Sequence, residues 1–95
     1  MAVAVELNFR GATLQQYDEV LAKMGFTHSG KGAPQGLFHW AAKSTDGLRI
    51  VDVWESKEAF EQFSREKIQP LSREVGFPNP PDVKFTDVYN YLKGA

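Results

Sequence analysis

The sequence contains no cysteine. That absence removes disulfides, thiolate nucleophiles, iron-sulfur ligation and cysteine-based zinc sites together. Clustered positive charge is also missing: eleven Lys and Arg are scattered singly among twelve Asp and Glu, for a net charge of -1. Without a basic stripe, neither nucleic acid nor an anionic membrane surface is an expected partner. No segment approaches the ~18 consecutive apolar residues of a membrane-spanning helix. The amino end, Met1 to Asn8, lacks the basic stretch and apolar run of a secretory signal. A cytoplasmic protein is the expectation.

What is present fits one domain spanning residues 1–95. The 42% hydrophobic content is enough for a core, but a chain this short buries a limited fraction of its surface and gains from an oligomer.

Val3, Val5, Leu7 and Phe9 alternate with Ala4, Glu6, Asn8 and Arg10, the period-2 pattern of a strand with one apolar face. Gly11 breaks it. Thr13 followed by Gln16 reads as a capping box, so a helix begins near Leu14. Its apolar face carries Leu14, Tyr17, Val20, Leu21 and Met24, and Gly25 suits the left-handed residue that ends it.

Residues 26–36 form a loop of small residues suited to cover a pocket mouth. Gly25 with Gly30 and Lys31 has most of the spacing of a phosphate-binding loop, but Gly32 stands where Ser or Thr belongs and the segment leaves a helix. A connector is the expectation. Leu37 to Ala42 and Leu48 to Trp54 read as two strands joined by the hairpin chemistry of Ser44-Thr45-Asp46-Gly47. A two- or four-residue loop makes paired numbers sum to 93 or 91. His39 therefore faces Asp52 or Trp54, on the same side as Leu37, Ala41, Leu48 and Ile50.

Ser56 is a good N-cap and Glu58 a favourable first-turn anion for a second helix whose Ala59, Phe60 and Phe63 pack on the sheet. Pro70 opens a further helical turn through Val75, ending at Gly76. An extended connector from Phe77 to Asp82 precedes a fourth strand, Val83 to Leu92. The order βαββαβ predicts an α+β, ferredoxin-like antiparallel sheet with two helices on one face. Phe38, Trp40, Val51, Val53, Val88 and Leu92 give the strands a second apolar side, which implies a twofold homodimer.

Nearly the whole chain resembles the small dimeric α+β barrel proteins related to antibiotic biosynthesis monooxygenases. The likeness is carried by Gly-Leu-Phe-His-Trp-Ala at 36–41, Gly47-Leu-Arg-Ile-Val-Asp-Val-Trp-Glu-Ser-Lys-Glu-Ala-Phe60 and Phe63. It implies a pocket between sheet and helices and a chemistry drawn from a mixed group: cofactor-free oxygenases of polycyclic phenols, polyketide cyclases, heme-degrading enzymes and proteins without known activity. Heme degradation would call for a histidine on the helix beside the pocket, and the second helix has none. Asn8 and Trp40 match the catalytic asparagine and tryptophan of quinone-forming relatives by type only.

The residues themselves offer His39 as a general base for a phenol or activated methylene, with Asp52 setting its tautomer. The same pair is equally read as a buried, hydrogen-bonded contact that specifies strand register. Tyr17, Trp54, Phe60, Phe63, Tyr89 and Tyr91 are candidates to line a cavity for a flat ligand, and each is also ordinary core material. Arg49 falls on the face opposite His39, and His28 lies in the loop. A metal site would need His28, His39 and Asp52 to converge from separate elements and is not expected, nor is a cofactor. The expected activity is cofactor-independent monooxygenation of a small aromatic or polyketide-like molecule; the alternatives are polyketide cyclisation and non-catalytic binding of a hydrophobic metabolite by the dimer.

Overall fold

The computed structural model of the chain describes residues 1–94. It contains β1 (Val3–Arg10), α1 (Leu14–Met24), β2 (Gly36–Lys43), β3 (Gly47–Trp54), α2 (Lys57–Phe63), α3 (Gln69–Val75) and β4 (Asp82–Asp87). The strands form one antiparallel sheet in the order β2-β3-β1-β4, the ferredoxin-like arrangement. No helix among the described residues is long and apolar enough to cross a membrane.

The alternation read in the first strand becomes the floor of the core: Val3, Val5, Leu7 and Phe9 are all buried beneath the helices. From β3, Leu48, Ile50 and Trp54 join them, and from α2, Ala59 and Phe60. The hairpin closes as its chemistry predicts. Ser44 N–H donates to the Gly47 carbonyl (2.8 Å) and the Ser44 hydroxyl to Asp46 (3.2 Å). Glycine is required at position 47, because a Cβ there would stand 2.1 Å from the Phe9 carbonyl oxygen.

Both ends of α1 follow from sequence. Thr13 and Gln16 exchange the two capping-box hydrogen bonds, at 3.0 and 3.1 Å, and Gly25 takes the left-handed conformation with φ 81°. Yet on the apolar face of α1 only Val20 is buried; Tyr17, Leu21 and Met24 are half-buried and Leu14 is exposed. A helix with an apolar stripe that does not close onto the sheet leaves space beneath it.

The helical turn opened by Pro70 is present as α3, which ends at Gly76 in the left-handed conformation (φ 101°), and α2 runs into it through a π-helical stretch, Ser64–Ile68. Gln69 N–H bonds the Ser64 carbonyl five residues back. This wider turn shifts the ladder by one residue just before a proline that has no N–H to give. The fourth strand is shorter than the sequence suggests, ending at Asp87 rather than running to Leu92. Asp87 pairs with Val3, the first residue of β1, and Val88 N–H reaches the Ala2 carbonyl (3.0 Å). Beyond that point β4 has no neighbouring strand to pair with, so Tyr89, Tyr91 and Leu92 leave the sheet.

Candidate active site

Register builds the site first. His39 pairs with Asp52 across β2 and β3, the sum of 91 given by a four-residue turn. On its other side Asp52 faces Val5 of β1, a fully buried position. Asp52 is thus 5% exposed inside an apolar core, a placement that is costly for its carboxylate unless every oxygen finds a donor. Both do: Oδ1 lies 2.5 Å from His39 Nδ1, and Oδ2 accepts a hydrogen bond from the Trp54 indole N–H at 3.1 Å. Trp54 can reach it because residues two apart on a strand share a face.

The chain of contacts continues to α1. The Tyr17 hydroxyl sits 2.5 Å from His39 Nε2, with the two rings within 6° of parallel. Burial, then the negative charges of Asp52 and Asp18, push the Tyr17 hydroxyl up to about 12. At neutral pH Tyr17 is therefore a phenol and donates to Nε2, which leaves Nδ1 to carry the imidazole proton and donate it to Asp52. The polar sequence is Tyr17 O–H to His39, His39 N–H to Asp52, with Trp54 holding the second carboxylate oxygen.

This chain lies on the wall of a cavity of about 680 Å³ between the sheet, α1, the loop after it and the α2–α3 arm. That is within the size range of small-molecule sites. Leu21, Met24, Phe26, Leu37, Ile68 and Phe77 supply much of its apolar lining. The loop residues Thr27 to Ala33 border it, as expected of a segment over a pocket mouth. A one-residue bulge between Gly36 and Phe38 turns Leu37 out of the regular register at that same mouth.

The structure brings together His39, Asp52, Tyr17, Trp54 and Phe63 around the cavity. It separates two other candidates. Phe60 is 3% exposed and lies behind Trp54, ring edge to face at 5.9 Å, as core. Tyr89 is fully exposed on the segment after β4, outside the cavity walls. His28 does not join His39 and Asp52 but bonds Asp18 on α1 at 2.7 Å. Arg49 is on the opposite face, paired with Glu6 at 3.0 Å and 5.8 Å above Trp40. Two features were missing from the sequence reading: the tyrosine-histidine hydrogen bond, for which local spacing carries no signal, and the part of the lining from Ile68, Ser72 and Phe77.

No family model matches the chain, and no curated protein matches its sequence. Among solved structures it is similar to a monooxygenase from the gene ActVA-Orf6 of Streptomyces coelicolor, crystallised in complex with the ligand nanaomycin D. The two are 24% identical with a TM-score of 0.54, and the match covers 99% of this chain and 92% of that one. The likeness is one of fold. It extends over nearly the whole chain.

Proposed function

We propose that the protein is a cofactor-independent, monooxygenase-like enzyme acting on a small aromatic or polyketide-like molecule, working as a cytoplasmic homodimer, with His39 as the proton acceptor and Asp52 as its orienting carboxylate. The observation that carries this reading is the hydrogen-bonded chain Tyr17–His39–Asp52 on the wall of a largely apolar cavity. The monooxygenase fold neighbour, solved with nanaomycin D, supports the general kind of activity.

An apolar cavity with one polar wall holds a flat ring system and places its hydroxyl at that wall. Asp52 stabilises the imidazolium that forms when His39 gains the hydroxyl proton. The resulting phenolate is electron-rich enough to reduce dioxygen. Oxygen adds at a ring carbon, and the hydroperoxide loses water to leave a quinone. The substrate gains one oxygen and loses two hydrogens, and the second oxygen atom leaves as water. Cyclisation by attack on the substrate's own carbonyl would use the same base.

A specific observation favours a second reading, a non-catalytic binder: both His39 nitrogens already have partners in the free protein, as in a pair that only fixes strand register. Oxygen uptake by the purified protein against a panel of anthrones and dihydroxynaphthalenes separates the two. The enzyme reading expects uptake that His39→Ala abolishes and Asp52→Asn lowers by at least about 100-fold, with ligand affinity little changed. Ligand binding, seen as altered tryptophan fluorescence, with no product from any compound would leave the binder.

A further inference from the structure

We propose that Tyr17, not His39, is the group that touches the substrate hydroxyl, and that it relays the substrate proton to His39. This rests on the functional reading above and adds a catalytic residue to it.

The argument starts from what an incoming hydroxyl can meet. His39 has two ring nitrogens. Nδ1 is bonded to Asp52 and Nε2 to Tyr17, each at 2.5 Å. Asp52 is buried, and its two oxygens are taken by His39 and Trp54. The polar atom of the chain left with open bonding capacity toward the cavity is the Tyr17 oxygen, which donates once and still has lone pairs to accept. Tyr17 stands on α1, the element whose apolar face looks into the cavity, and it is half-buried there. A substrate hydroxyl that donates to this oxygen completes a line of three hydrogen bonds ending on Asp52.

Proton transfer along that line balances without any other reagent. The substrate O–H bond breaks as a new O–H bond forms on Tyr17; the original Tyr17 O–H bond breaks as an N–H bond forms at His39 Nε2. Tyr17 ends as it began, the substrate becomes an anion and His39 an imidazolium beside the Asp52 carboxylate. A tyrosine that resists ionisation, as the burial of Tyr17 makes it, suits a relay of this kind, since it passes a proton on without lingering as a phenolate.

The test uses 7-hydroxycoumarin, whose phenolate has its own absorption band, bound without oxygen to wild type, Tyr17→Phe and His39→Gln. At pH about 7 the free probe is mostly a neutral phenol, and a neutral imidazole is the side chain able to accept its proton. The proposal expects the probe to ionise on binding to the wild type and to stay neutral in both variants, with affinities within about threefold. With an oxidised phenol, kcat of Tyr17→Phe should fall by about 100-fold or more while KM changes little.

Ionisation in Tyr17→Phe equal to wild type, or loss of affinity alone, would overturn the relay and leave Tyr17 a lining residue. So would a probe that fails to bind the wild type or stays neutral there. Ionisation through Tyr17 with no oxygen consumed on any phenol would keep the relay and sink the oxygenase reading. Oxygen uptake undiminished in Tyr17→Phe would do the reverse.

Discussion

Asp52 is the residue whose surroundings constrain the rest. A carboxylate at the centre of a small core is held only by saturating it with donors, and its two donors are His39 and Trp54. His39 is in turn fixed by Tyr17, so one buried charge orders side chains from two strands and a helix. The same network gives a stability signature at high pH. Tyr17 binds its proton more tightly in the folded chain, at about 12 against 10.0 for an unperturbed tyrosine. The unfolded chain therefore releases that proton first as pH rises. The contribution of Tyr17 to stability is full below pH 10 and is lost progressively as pH climbs through about 12. Urea unfolding at pH about 9 and about 11.5 should show a smaller loss of stability in Tyr17→Phe than in the wild type. Equal losses would mean that Tyr17 is no better shielded when folded than when unfolded.

At the scale of elements, α1 carries the candidate relay and is secured at its start by the Thr13–Gln16 box. Tyr17 N–H bonds the Thr13 carbonyl (3.0 Å), and the Gln16 amide also reaches the Gly76 carbonyl at the end of α3 (3.2 Å). Removing the cap with Thr13→Ala should cost about 1 kcal/mol by urea unfolding, and fraying of that first turn should also weaken ligand binding. Affinity unchanged at reduced stability would show that the cavity, not the cap, positions Tyr17.

These elements also show what a sequence can and cannot display. Caps, turns and alternation are local, so the start of α1 and the hairpin are legible residue by residue, and the facing of His39 is narrowed to Asp52 or Trp54, with the four-residue turn deciding for Asp52. The meeting of Tyr17 with His39 depends on how α1 lies across the β2–β3 hairpin, and a tyrosine on an apolar helical face reads as packing. The end of β4 is hidden for a like reason. Its alternation runs on through Tyr91, but its partner strand begins at Val3, far away in the chain.

For the whole molecule, the outstanding feature is that the helices form one layer and cover only one side of the sheet. On the other side Phe38 and Trp40 are 58% and 40% exposed beside half-buried Val51 and Val53. A contiguous apolar surface on a chain of this size is the mark of an interface, and the homodimer proposed above would seat a second copy of the chain there. Trp40→Glu places a charge in the middle of that surface without touching the core face, so it should turn a dimer into a folded monomer by sedimentation velocity. Because His39, Asp52 and Tyr17 lie on the opposite side of the sheet, the monomer should still bind a phenol with affinity within about threefold. A dimer that survives Trp40→Glu would move the interface elsewhere. A folded monomer that no longer binds would mean that the cavity is completed by the partner, with the exposed segment from Tyr89 to Leu92 the first place to look for the contributing residues.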